Sequence, residues 1–295
     1  MIQPSSKVLS SATVAHLQAT QQKIDGESDF KSKALKADSL WDNKTKGRGK
    51  QAFAEIKNTL NAMCSGVKNC TYCEHNEADD IEHIYPKKLF PNRAFIWENY
   101  ILTCRQCNTD YKADKFAVFN PHGSSELLEI PQQRGTYLQP VTNDGAVIDP
   151  RAENPFDFMR LDIREQTFLF VAEANLSVRD EQKATYTIDL LGLNRRDALV
   201  EARKKAARYY LDRLERYVRA KHATTFAGLE EVTQEPDLVD ETQPFEAEQA
   251  RIMAAIISDI THHQHPTVWQ ELKRQRHQLP RTNRLLAEAP EALGW

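Results

Sequence analysis

Two Cys-x-x-Cys pairs, Cys70/Cys73 and Cys104/Cys107, separated by 30 residues, constrain this 295-residue chain more than any other feature. Each such turn aims two thiolates at one point, so two turns supply four soft ligands. That is the donor set of tetrahedral zinc, with Zn–S distances near ~2.3 Å. Four free thiols or a redox pair are the alternatives. The gap exceeds what a minimal zinc ribbon needs, so a folded insert lies between the knuckles. Four thiolates close the coordination sphere and leave no position for water. The zinc is therefore expected to be structural, and any chemistry has to sit beside it. The fifth cysteine, Cys64, follows an apolar helical stripe and reads as a small buried residue.

The insert carries Asp79, Asp80, Glu82 and His83 before Ile84-Tyr85-Pro86. Ile81 among acidic neighbours suggests a short strand that Pro86 ends. The run Asn99-Tyr100-Ile101-Leu102 reads as a second strand leading into the Cys104 turn. A helix is expected after Cys107, with Asn108 near its N-cap. Phosphodiester hydrolysis needs a base, a divalent ion and something to orient the base. His83 has the intrinsic acidity of a base. Glu82 and Asn108 offer the hard oxygens that Mg²⁺ or Mn²⁺ prefers. Asn99 could orient the base or brace its loop. Singly, these residues read as packing, capping and turn residues; their joint placement inside one zinc frame points to a catalytic site.

These residues, Asp80-x-Glu82-His83-x-x-Pro86 followed by Asn99-Tyr100-x-Leu102-x-Cys104-x-x-Cys107-Asn108-x-x-x-Lys112, resemble an HNH endonuclease of the ββα-metal type. The resemblance implies His83 as general base, Glu82 and Asn108 as ligands of one catalytic divalent ion, and Asn99 as the residue that positions the histidine, with Asp80 in the outer shell. Glu82 stands where Asp is common and Asn108 where His is common, an H-N-N variant, and Lys112 lies one residue farther on than in the tightest form. A narrower resemblance, through Glu74, Ile81-Glu82-His83-x-x-Pro86-Lys87, IDPRAENPFDFMRLD (148–162) and TIDLLGLNRRDALVEARKK (187–205), is to HNH proteins of the Septu and retron-associated type. It implies antiphage defence beside an ABC-class ATPase partner, and it covers about residues 67–205.

The fold expected is α+β: a zinc-clamped ββα-metal HNH core in a mostly α-helical chain. The expected domains are an N-terminal helical region (1–66), the core (67–120), and a small β element followed by C-terminal helices (121–295). Helices are expected over 8–24 and 29–41, and from about Phe53 to a stop near Ser65-Gly66. Strands are expected in FMRLDI and TFLFVAE, with a hairpin around Arg164–Gln166. Further helices are expected after Asn194 and over 246–260. Residues 229–248, with eight acids and no Lys or Arg, read as an exposed connector, and THHQHP (261–266) as a solvated helix end.

A net charge of −3 argues against a histone-like coat but not against local phosphate contacts. The stretch 31–50 has a local net charge of +5, from seven Lys/Arg against two Asp. Near the knuckles, Lys87, Lys88, Arg105 and Lys112 are the candidate phosphate contacts. No GxxxxGK[ST] loop is present, so nucleotide hydrolysis is left to a partner. No apolar run suits a membrane span and no secretion signal is seen, so a cytoplasmic setting is expected. Double-stranded DNA is the first-choice substrate, with structured RNA such as tRNA as the second. A non-catalytic zinc module that binds nucleic acid or protein is the alternative to an enzyme.

Overall fold

In a computed structural model of the protein, residues 1–64, 66, 68–75, 77–123, 125–131, 135–164 and 167–295 are described. The chain forms two compact units. One comprises Met1–Arg160 with Phe170–Asp197; the other comprises Leu161–Leu169 with Ala198–Trp295. The architecture mixes helices with small antiparallel sheets, as expected for α+β.

The first unit opens with three helices, α1 (Ser11–Asp25), α2 (Phe30–Asp42) and α3 (Gly49–Met63). Ser10 caps α1 by accepting from the Thr13 N–H, and Asp29 caps α2 by accepting from Ser32. Phe53, Ile56, Leu60 and Met63 recur at helical spacing and are all buried. The Glu55 carboxylate accepts from the Ser10 backbone and hydroxyl (2.6 and 2.8 Å) and from the Thr13 hydroxyl (2.5 Å), which ties α1 to α3. Helix α3 ends at Met63, just before the predicted Ser65-Gly66 stop, of which Ser65 lies outside the described residues.

Strands β1 (Asp80–His83) and β2 (Tyr100–Thr103) pair antiparallel, with His83 opposite Tyr100 and Ile81 opposite Leu102. A helical segment, Gln106–Lys112, follows β2. Asn108 does not cap it, contrary to expectation. Its N–H donates to the Cys104 carbonyl (3.0 Å), so the turn has begun earlier. The Ala113 N–H reaches back five residues to the Asn108 carbonyl (2.8 Å), the wider winding of a π-helix, which is frequent at functional sites. Strands β3 (Ala117–Phe119) and β4 (Leu127–Glu129) form a second two-stranded sheet. Strands β5 (Met159–Asp162) and β6 (Leu169–Ala172) form a third; the chain passes between the units within these strands. Their connection was expected around Arg164–Gln166, of which 165 and 166 lie outside the described residues. Helix α4 (Val178–Leu190) completes the unit. Just beyond it, a Cβ on Gly192 would come within 2.0 Å of the Tyr111 ring, and φ there is +58°. Only glycine lets the chain at 192 lie this close to the segment after the second knuckle.

The second unit holds α5 (Asp197–His222, less its first residue), α6 (Phe226–Thr233), α7 (Phe245–Thr261), α8 (Pro266–Arg274) and α9 (Pro280–Glu288). Two expectations are corrected here. The acidic stretch 229–248 is not all connector: Leu229 and Val232, three residues apart on one helix face, are buried, which folds its start into α6. The histidines of 261–266 are only in part a solvated end: His262 is exposed at the C-cap of α7, but His263 stacks on Tyr209 with ring centroids 3.9 Å apart, and His265 is 1% exposed. The reason is the same in both cases, since local polarity does not reveal which side chains a tertiary neighbour will cover.

Candidate functional site

The two knuckles bring all four predicted thiols together. The sulfurs of Cys70, Cys73, Cys104 and Cys107 lie within 4.8 Å of one another, with Cys73 and Cys104 3.8 Å apart. A tetrahedron with Zn–S of ~2.3 Å has an edge of about 3.8 Å, so the cluster fits zinc. Among the described residues it is the one metal-binding group of three or more His, Cys, Asp or Glu side chains. The Cys70 N–H donates to the His75 carbonyl (2.8 Å), and the Cys107 N–H points at the Cys104 sulfur (3.5 Å), so backbone hydrogen bonds shape both knuckles. Neighbouring thiols, Cys104 first, hold the Cys73 thiol well below its ordinary range, and Arg196 adds to this.

Arg196 was not singled out in the sequence. Both its terminal nitrogens lie 3.6 Å from the Cys107 sulfur, and its guanidinium rests 4.9 Å over the Tyr111 ring. Burial opposes its charge, but Cys107 and Cys73 outweigh this and raise its pKa. Four thiolates around one Zn²⁺ leave a net negative charge, which a guanidinium at this distance offsets. The only sequence signal was the Arg195-Arg196 pair inside the 187–205 motif.

Of the other predicted residues, Glu82, His83, Lys87 and Asn108 line one cleft of about 280 Å³, whereas Asn99, Lys88, Arg105 and Lys112 are not part of its lining. His83 is 6% exposed. Its Nε2 lies 2.9 Å from the Ala94 carbonyl. A carbonyl only accepts, so Nε2 carries the proton and the lone pair belongs to Nδ1. The Tyr100 hydroxyl donates to the same carbonyl (2.7 Å). Asn99 does not touch the imidazole. Its amide accepts from the Tyr85 N–H (2.8 Å) and donates to the Tyr85 and Arg93 carbonyls (3.0 and 2.9 Å). It thereby braces the loop whose Ala94 carbonyl holds the ring. Trp41 of α2, absent from the sequence-level site, lies against His83 with centroids 4.2 Å apart.

Burial pushes the His83 imidazole down to about 3, with Lys87, Lys112 and Lys44 adding to the effect and the Ala94 bond opposing it. The ring is neutral at pH 7, as a base must be. In the unfolded chain it titrates near ~6.5, so between the two values the unfolded state binds the extra proton. The stability from this group is whole above about pH 6.5, declines by roughly 1.4 kcal/mol per pH unit as pH falls, and is gone below about pH 3. Urea midpoints measured from pH 7 to 4 should fall less steeply for His83→Gln than for the wild type; equal slopes would exclude His83 as the group.

Lys112 corrects an expectation. It was a candidate phosphate contact, yet its side chain is fully buried. Its ammonium donates to Glu82 Oε1 (2.6 Å) and to the His83 carbonyl (2.7 Å), because the wide helical turn directs it inward under β1. Burial raises the Glu82 carboxyl's pKa, and Lys112 opposes that rise. Removing one partner of a buried pair strands the other, at about 3–5 kcal/mol. Lys112→Met should lose this much in urea unfolding, and the double variant Glu82→Gln/Lys112→Met should recover part of it. A loss below about 1 kcal/mol would mean the pair behaves as a solvated one.

Asn108 Nδ2 donates to Asp80 Oδ2 (3.1 Å), which leaves its amide oxygen as a hard donor. Glu82, whose Oε1 is taken by Lys112, and Asn108 both line the cleft. Mg²⁺ and Mn²⁺ fit such a set, since they are held by one or two protein oxygens with water and phosphate completing the shell. The remaining phosphate candidates differ in exposure. Lys87 lines the cleft and pairs with Asp38 (3.1 Å), Lys88 is half-buried with its ammonium 5.7 Å from the Tyr137 ring centroid, and Arg105 is exposed beside the second knuckle.

The HNH endonuclease family model matches residues 70–114, the stretch that holds the four-thiol knuckles, the β1–β2 hairpin and the following helical segment. The chain is related to the Septu protein PtuB of Bacillus mycoides (strain KBAB4), at 24% identity over 170 residues, 52% of this chain and 51% of that protein. The chain thus spans about half the length of the curated relative it matches. No solved structure matches it significantly. No helix among the described residues is long and apolar enough to cross a membrane.

Proposed function

We propose that the protein is a metal-dependent endonuclease that hydrolyses phosphodiester bonds in nucleic acid, working in the cytoplasm as the effector of an antiphage defence system beside an ATPase partner. The observation that carries this reading is the His83–Ala94 hydrogen bond. It spends Nε2 and leaves Nδ1 to accept a proton from water, in a cleft shared with Glu82 and Asn108. Asn99 and Tyr100 keep the Ala94 carbonyl, and through it the ring, in place. Glu82 and Asn108 would hold the divalent ion, Mg²⁺ or Mn²⁺, which when bound neutralises charge on the phosphate and the leaving oxygen. Lys87, Lys88 and Arg105 are the proposed phosphate contacts near the cleft. The cysteine-held zinc keeps the frame and takes no part in the reaction.

Double-stranded DNA is the first-choice substrate and structured RNA such as tRNA the second. Incubating the purified protein with plasmid DNA and with total RNA, with Mg²⁺ or Mn²⁺ and with neither, alone and with a co-purified ATPase, separates these readings. Cleavage that needs the added ion supports the proposal. A non-catalytic zinc module is the second reading, favoured by the Lys112 ammonium seated on Glu82. It expects His83→Ala to leave function intact while Cys107→Ser destroys folding.

A further inference from the structure

The basic stretch 31–50 is not used by the reaction just described. Its last part forms the turn between α2 and α3 and the start of α3. The turn is tight: a Cβ on Gly49 would lie 2.0 Å from the Lys44 carbonyl oxygen, and Gly47 has φ +55°. It folds back so that Lys44, Lys50 and Lys57 all line a second cavity of about 440 Å³. This cavity adjoins the His83 cleft, and the two share Trp41, Ile81 and Asn108 as walls. The lysines are held differently. Lys44 lies 4.5 Å over the Trp41 ring and donates to the Trp41 carbonyl (3.4 Å). Lys57 meets Asp79 at 2.8 Å, with both side chains largely in solvent. Lys50 is exposed at the opening of α3. An exposed pair such as Lys57–Asp79 is worth little and exchanges readily for a phosphate.

We propose that the α2–α3 hairpin is a backbone clamp, in which Lys44, Lys50 and Lys57 hold successive phosphates of the nucleic-acid strand whose neighbouring phosphate enters the His83 cleft. The clamp rests on the nuclease reading for its direction, but binding tests it without cleavage. Its occupant is the phosphodiester backbone, and no base contact is implied. The negative net charge of the whole chain makes such a local concentration of lysines the means of gripping a polyanion.

The experiment uses the full chain carrying His83→Ala, so no strand is cut, and labelled probes: a DNA duplex and an RNA hairpin. Binding is measured by fluorescence anisotropy across a salt series. Each phosphate contact contributes about 0.9 to the slope of log affinity against log salt on duplex DNA, and about 0.7 on single strands. Lys44→Gln/Lys50→Gln/Lys57→Gln should lower the slope by about 2–3. The charge-matched control Lys23→Gln/Lys31→Gln/Lys33→Gln, whose residues do not line the cavity, should keep it nearly whole. The probe bound more tightly at matched salt identifies the source of the backbone. Equal slopes for the two triple variants, or no binding by the parent at low salt, overturns the clamp. Selective loss of slope in the clamp variant, together with no cleavage by the His83-containing protein with or without the ATPase, removes the nuclease reading and leaves the clamp standing.

Discussion

His83→Ala is expected to slow metal-dependent cleavage by roughly 10²–10⁴-fold, the usual contribution of a positioned general base. The effect should fall on turnover rather than on affinity for nucleic acid, because His83 sits in the cleft wall while the candidate phosphate contacts are lysines and an arginine. Asn99→Ala should act in the same direction but less strongly, since Asn99 works through the loop at Arg93 and Ala94 and not on the ring itself. Single-turnover rates on the preferred substrate, with anisotropy for binding, separate the two effects. Equal cleavage by His83→Ala and wild type would sink the catalytic assignment, whatever the substrate turns out to be.

Cys107→Ser is expected to have the largest structural effect. Cys107 is completely buried, its sulfur faces Arg196, and it closes a four-thiol cluster. Structural zinc sites contribute about 10–16 kcal/mol of binding free energy in zinc-finger peptides at neutral pH, comparable to or larger than the whole stability of many domains. Losing one thiolate also leaves Arg196 facing a weaker negative charge. The variant should contain less zinc per chain by elemental analysis and should lose its cooperative thermal transition, and strong chelation of the wild type should do the same. An unchanged melting temperature after complete zinc removal would show that packing alone holds the hairpin and its helical segment together.

Much of the candidate site could be read from the chain because its residues are close in sequence and their spacing has local consequences. Cys-x-x-Cys turns converge by their own backbone geometry. The α3 stripe of Phe53, Ile56, Leu60 and Met63 buries as its period requires. Glu82 and His83 sit at the end of a strand whose partner, β2, lies within the same insert. Residues whose role depends on distant partners were harder to place. Lys112 carried a surface charge in the sequence but is 30 positions from Glu82, and the buried pair exists only once β1 and the π-wound segment pack together.

Spacing along the chain was enough to determine a four-thiol metal cluster, an α+β core within helices, and a histidine, a carboxylate and an amide grouped in one short insert. Tertiary structure alone decided which imidazole nitrogen bonds the Ala94 carbonyl, that Lys112 is buried against Glu82, that Arg196 faces the thiols, and that α2 and α3 bring lysines to a cavity beside the cleft. The physical reason is that dihedral preferences and periodicity act over a few residues. Burial, ion pairing and hydrogen bonding between residues tens of positions apart are settled by how the elements pack, and composition records those contacts only faintly.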